Sequence, residues 1–203
     1  MYVKVCGLTD PDTVDVAVDA GADAVGVVMN RTSPRAVDAD TARSIVDRAG
    51  GRVDTVLVVN DMSAADAARI AAGLGFSVLQ LHGGYTEADF ADAAAIFPRL
   101  WRATSLAVDP PLEVGAYGEV ALLLDAPRPG SGETWDLSVL ADRGVHGAWL
   151  LAGGLTSDNV ADAIAAARPW GVDTSSGVEA SPGVKDHAKV RAFIKAAREA
   201  QTP

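Results

Sequence analysis

The spacing of apolar residues switches repeatedly along this 203-residue chain, and no other feature constrains its fold more. Short runs of β-branched and other apolar residues alternate with Ala-rich stretches in which apolar positions recur every three or four residues. The first pattern is that of strands, the second that of amphipathic helices. Strands are predicted at residues 2–6, 24–29, 54–59, 78–81, 100–103, 120–124, 148–151 and 171–174. Helix starts are marked by Asp10-Pro11, Asp38, Ser63, Thr86, Asp136, Thr156 and Asp186, residue types whose side chains or fixed φ suit the first turn. The connection at 109–118 carries Pro110-Pro111 and has the weakest helical pattern.

VGVVM, TVLVV and VALLL are apolar without interruption, as strands buried on both faces must be, which favours parallel pairing. Eight strand–helix units with no long linker or shift in composition point to the α/β class and a single (β/α)8 TIM barrel domain over residues 1–203. A doubly wound open sheet is the alternative. It would carry a GxGxxG turn after its first strand, where this chain has Cys6-Gly7-Leu8-Thr9.

With 49% hydrophobic residues, 22% charged residues and a net charge of −10, the composition is that of a soluble globular protein without a footprint for nucleic acid or anionic membrane. No apolar stretch reaches the roughly 18 to 20 residues needed to span a bilayer. One cysteine allows no internal disulfide, and MYVKVCGLTD lacks the features of a signal peptide, so a cytoplasmic protein is expected. His82, His146 and His187 show no ligand spacing, and no metal is expected; His146 and His187 are expected at the surface. No exposed apolar stripe stands out, and a monomer is expected ahead of a homodimer.

Barrels of this kind build their sites at the C-terminal ends of the strands. Those positions hold Cys6, Arg35 after the Ser33-Pro34 turn, His82, Asp125, Gly153-Gly154, and Asp173 leading into Ser175-Ser176-Gly177. The last two loops have the small residues of a phosphate cradle: Gly153-Gly154 precede the helix expected near Thr156, and Ser175-Ser176-Gly177 can open a short extra helix. The alternative is that these glycines only make tight turns. Lys4 and Cys6 share a strand face, so an ammonium can raise the thiolate fraction of a thiol whose ordinary pKa is about 8.5. Asp125 follows three leucines, where desolvation favours the protonated acid. A thiolate and a carboxylic acid across one pocket form an acid–base pair, although Cys6 alone could be buried filler and Asp125 a cap. Arg35 suits a carboxylate clamp or an ordinary surface ion pair.

The chain resembles the phosphoribosylanthranilate isomerase family along its full length. The resemblance is carried by KVCGLT at 4–9, SPR at 33–35, LQLHG at 79–83, LLLD at 122–125, GSGETWDL at 130–137, LAGGLTSDNV at 151–160 and GVDTSSGVEASPGVKD at 171–186. It implies a cofactor-free Amadori rearrangement of a small phosphorylated substrate, with Cys6 as general base and Asp125 as general acid. It further implies Arg35 on the anthranilate carboxylate, Asp173 on a sugar hydroxyl, His82 as a pocket neighbour, and Gly153, Gly154, Ser175, Ser176 and Gly177 on the phosphate. Three differences from the family pattern stand out: the loop at 126–132 is short and proline-rich, Leu137 stands where a tryptophan is common, and a pocket aromatic frequent at the end of strand two is replaced within Val27-Val28-Met29. The histidine-pathway isomerases, which carry an aspartate in place of Cys6 and a phosphate site in each half-barrel, fit less well.

Overall fold

The computed structural model describes residues 1–126, 137–140 and 143–200. Eight parallel strands close into a barrel in sequence order: β1 (Tyr2–Val5), β2 (Ala24–Val28), β3 (Asp54–Val59), β4 (Val78–His82), β5 (Leu100–Ser105), β6 (Ala121–Asp125), β7 (Trp149–Leu151) and β8 (Gly171–Thr174). Each predicted strand is present, with ends displaced by two residues at most. Closure pairs β1 with β8 and sets Lys4 opposite Asp173, two residues far apart in sequence.

Alternate strand positions divide between two apolar layers. Val56, Val58, Val78, Trp101, Leu123 and Leu150 fill the barrel interior, while Val3, Val25, Leu57, Leu79, Leu122 and Val172 pack outward against the helices. That division explains the uninterrupted apolar runs, because neither face of these strands meets water. Trp101 is fully buried, and the Tyr2 ring packs edge-on against it at the strand starts.

Among the described residues, six helices surround the barrel: α1 (Asp12–Ala20), α2 (Ala39–Ala49), α3 (Ala64–Leu74), α4 (Glu87–Ala94), α5 (Val160–Ala167) and α6 (His187–Glu199). The expected caps at Asp38, Ser63, Thr86 and Asp186 each accept a first-turn backbone N–H, and Asp10 does the same for Thr13. Thr86 and Asp89 form a reciprocal capping box. No helix among the described residues is long and apolar enough to cross a membrane.

Two helix expectations need correction, and a third, at Asp136, falls outside the described residues. After β5 the chain makes only a single 3-10 turn, Leu106–Val108, before an irregular return to β6. Arg102, on the outer face of β5, takes the place of a packed helix. Its Nε donates to Glu119 Oε1 at 2.8 Å, its Nη2 donates to the carbonyls of Pro111 and Glu113, and its guanidinium lies 4.8 Å from the Tyr117 ring centre. A buried charge is tolerated only when paired and hydrogen-bonded in this way. After β7, the helix begins at Val160 rather than near Thr156. Asn159 Oδ1 accepts the Thr156 N–H and its Nδ2 donates to Gly154 O, so residues 156–159 form a turn clasped to the Gly-Gly loop.

Beyond β8, a 3-10 turn (Ser176–Val178) leads into a small hairpin, β9 (Glu179–Ser181) and β10 (Val184–Lys185), at the C-terminal mouth of the barrel.

Candidate active site

A cavity of about 300 Å³ opens at that mouth, lined by residues that include Cys6, Arg35, His82, Asp125, Asp173 and Ser175. Six residues predicted from five different places in the sequence therefore meet in one pocket. Among the described residues, no group of three or more His, Cys, Asp or Glu side chains is arranged to hold a metal ion. His146 and His187 are exposed, away from the cavity lining.

Cys6 follows the last residue of β1 and anchors there through its N–H to Thr174 O at 2.8 Å. Its thiol belongs to the barrel interior, and space for it comes from β2: a Cβ on Gly26 would stand 2.7 Å from Cys6 Sγ. Burial pushes the thiol pKa up, and the Lys4 ammonium pulls it back. Lys4 itself is fully buried, its Nζ 2.9 Å from Asp173 Oδ1. Burial opposes its charge, but Asp173 and Cys6 together outweigh burial and hold the ammonium pKa above its ordinary value. The ammonium therefore stays charged beside the thiol, its effect partly offset by the Asp173 carboxylate. Asp173 Oδ2 carries no hydrogen bond among the described residues, and Asp173 lines the cavity.

Asp125 ends β6 and is 8% exposed. Burial raises its pKa to about 6, against the hydrogen bond its Oδ1 accepts from the Ala126 N–H. His82 Nε2 lies 3.8 Å from Asp125 Oδ2. Burial and the nearby Lys4 charge lower the imidazole pKa to about 4, so His82 is neutral and the two do not form an ion pair near pH 7. A carboxyl near 6 and a thiol above its ordinary value leave most molecules, at neutral pH, with the shared proton on sulfur; the tautomer with thiolate and carboxylic acid is a minor one.

Arg35 reaches the cavity with its fork already engaged. Nε and Nη2 donate to Glu179 Oε1 and Oε2 at 2.6 and 3.0 Å, leaving Nη1 without a hydrogen bond among the described residues. Glu179, at the start of β9, also accepts from Lys185 Nζ at 2.9 Å, and Lys185 in turn donates to Ser175 O. Burial works to raise the Glu179 pKa, but its two cationic partners win and lower it. The sequence carries Glu179 and Lys185 inside the 171–186 motif without pointing to a role for either; the signal there is two opposite charges flanking a Pro-Gly turn. Gln80 was likewise only part of a motif, and it also lines the cavity.

The two expected phosphate loops lie side by side. Gly177 is pressed so closely on Leu155 that a Cβ would fall 2.0 Å from its carbonyl oxygen, and Thr174 Oγ1 donates to that same carbonyl. Gly153 and Gly154 both adopt positive φ. Ser175 Oγ donates to Cys6 O, tying this loop to the thiol segment. The backbone N–H groups of Gly154, Ser176 and Gly177 make no hydrogen bond among the described residues, which leaves three donors for an anion.

A family model described as N-(5'phosphoribosyl)anthranilate (PRA) isomerase matches residues 3–196. The N-(5'-phosphoribosyl)anthranilate isomerase of Beijerinckia indica subsp. indica is 42% identical over 220 residues, covering 99% of this chain and 96% of its own. The crystal structure of TrpF from Jonesia denitrificans superposes with a TM-score of 0.93 at 57% identity, over 100% of this chain and 99% of that one. A phosphoribosyl anthranilate isomerase solved in complex with reduced 1-(o-carboxyphenylamino)-1-deoxyribulose 5-phosphate has a TM-score of 0.86 at 31% identity, over 98% and 99% of the two chains. A barrel that gathers the expected thiol, carboxyl and loops at one mouth thus coincides with full-length similarity to enzymes of one kind, and the chain belongs to the phosphoribosylanthranilate isomerase family.

Proposed function

We propose that the protein converts N-(5-phosphoribosyl)anthranilate to 1-(2-carboxyphenylamino)-1-deoxyribulose 5-phosphate, a step of tryptophan biosynthesis. The observation that carries this reading is the placement of Cys6 and Asp125 around one cavity, with Lys4 behind the thiol and a neutral His82 beside the carboxyl. Asp125 donates its proton to the furanose ring oxygen. The bond from that oxygen to C1′ breaks, and the anilino nitrogen lone pair forms the C=N bond of a protonated Schiff base. Cys6, as thiolate, removes the C2′ proton; the released pair forms the C1′–C2′ double bond, and the C=N pair returns to nitrogen. Transfer of the enol proton to C1′ completes the ketone. C1′ is reduced as C2′ is oxidised, so the electrons balance within the substrate and no redox cofactor is called for.

Arg35 is assigned to the anthranilate carboxylate through Nη1, its plane fixed by Glu179. Asp173 is assigned to a sugar hydroxyl through its second oxygen. Gly153, Gly154, Ser175, Ser176 and Gly177 are assigned to the phosphate, mainly through backbone N–H groups, which lets an acidic protein hold an anion without a basic patch. A cytoplasmic monomer is the proposed working form, and sedimentation tests the oligomeric part.

A coupled assay with freshly made phosphoribosylanthranilate tests the reading. Cys6→Ala and Asp125→Asn should each remove most turnover while retaining affinity for the reduced product analogue. Near wild-type rates in either variant would sink the acid–base assignment. Isomerisation of the histidine-pathway substrate without turnover of phosphoribosylanthranilate would overturn the proposed reaction.

A further inference from the structure

One polar side chain on the cavity wall has no part in the chemistry above. Gln80 is 2% exposed, and its Oε1 is buried with no hydrogen-bond partner among the described residues. The residue stands on β4 in register with Val58 of β3 and Trp101 of β5. Side chains two apart on a strand share a face, so Gln80 projects on the same side as His82, one layer deeper. It therefore lies at the floor of the cavity whose wall includes Cys6, Leu123, Asp125 and Asp173.

A buried acceptor without a donor has given up water and received nothing in return. Its neighbours in the barrel interior, Val58, Trp101 and Leu123, are apolar, and a methionine would fill a similar volume there without that penalty. An amide at such a position, on the wall of a binding cavity, can be satisfied by a donor on a ligand.

We propose that Gln80 reads the substrate, its Oε1 accepting a hydrogen bond from a hydroxyl of the sugar chain beside the reacting carbons. This rests on the isomerase reading. Carboxylate and phosphate groups present acceptors, so neither anionic end of the substrate satisfies an orphan carbonyl oxygen. That leaves the hydroxyls and the anilino N–H. The anthranilate is assigned to Arg35 in the loop after β2, whereas the floor between Cys6 and Asp125 is where C2′ and the ring oxygen must lie. A neutral carboxamide also suits this position because it orients a hydroxyl without competing for the proton that Cys6 and Asp125 exchange.

Gln80→Met, with Gln80→Leu as a second variant, separates reading from packing. The expected result is a melting midpoint equal to or above that of the wild type, together with a loss of about tenfold in kcat/KM and in calorimetric affinity for the reduced product analogue, the worth of one hydrogen bond. The limbs of the pH profile should stay in place, because no titrating group is removed. Either variant with kcat/KM within about twofold of the wild type overturns the proposal, since a lost hydrogen bond costs more. So does a marked fall in melting midpoint in both variants, because the amide would then serve the free protein. Absence of turnover in the wild type brings down the isomerase reading and this proposal together, whereas a silent Gln80 variant beside an active wild type removes this proposal alone.

Discussion

Replacing Lys4 by methionine tests what keeps the thiol usable. The ammonium is fully buried, with Nζ 2.9 Å from Asp173 Oδ1, so the variant keeps most of the side-chain volume and strands a carboxylate that is only 8% exposed. Two unit charges at that separation attract by about 6 kcal/mol at an effective dielectric constant near 20. Relaxation and water entry return part of this, and removing one partner of a buried pair typically costs about 3–5 kcal/mol. For a chain of this length, that is a fall in melting midpoint of roughly 6–20 °C. Lys4→Met/Asp173→Asn should recover much of the loss, because no buried charge is left alone. The second readout is the thiol. With Lys4 gone, the Asp173 charge acts in the same direction as burial, and the titration of Cys6 should move to higher pH. Urea denaturation gives the first quantity, and the pH dependence of alkylation at the sole cysteine gives the second. A loss below about 1 kcal/mol, the range of solvent-exposed pairs, would refute the buried pair. An unchanged thiol titration would remove Lys4 from any account of the thiolate.

Three other outcomes follow from the site. The folded chain keeps the Asp125 proton up to about pH 6, whereas the unfolded chain releases it near 3.8, so this group costs stability as pH rises across that interval and above it. Asp125→Asn should therefore exceed the wild type by up to about 3 kcal/mol at pH 7 and approach it below about pH 4; a gain independent of pH would contradict the raised pKa. In the wild type, kcat/KM should climb and level off as pH passes about 6, where loss of the Asp125 proton offsets the growing thiolate fraction, and in the residual activity of Asp125→Asn that levelling should disappear and the climb continue to higher pH. Gly26→Ala forces a methyl to 2.7 Å from Cys6 Sγ and should lower kcat and destabilise by about 1–3 kcal/mol, as overpacking does; unchanged turnover would mean the thiol position is not critical. Glu179→Gln should raise KM more than it lowers kcat, because Arg35 loses the charge that fixes its fork; a pure kcat effect in steady-state kinetics would contradict a positioning role.

The strands were legible because both of their faces are buried, which leaves runs such as TVLVV with no polar interruption. Caps such as Ser63 and Thr86 were legible because the bond they make is local. The missing fifth helix was hinted at by Pro110-Pro111, but the Arg102–Glu119 pair that replaces it depends on where a returning loop lands. The late start of α5 was hidden for a similar reason, since Thr156 and Asn159 are both good capping residues and only the clasp on Gly154 decides between them. Cys6, Arg35, His82, Asp125 and Asp173 could be found by asking what stands at the strand ends. Apart from Lys4 beside Cys6, which strand alternation gives, their partners could not. Lys4 meets Asp173 through closure of the barrel, Glu179 meets Arg35 through a hairpin folding back over the mouth, and Gly26 matters for the space it leaves.

Arg35 and Ser175 belong to opposite ends of the sequence, yet Glu179 and Lys185 join them through a short series of buried bonds. The interval between the fork assigned to a carboxylate and the loop assigned to a phosphate is thereby fixed by the protein. A pocket built this way acts as a gauge. Under the assignments proposed above, a ligand whose two anionic ends are spaced differently would either break buried ion pairs or leave one end unheld, and is expected to bind more weakly.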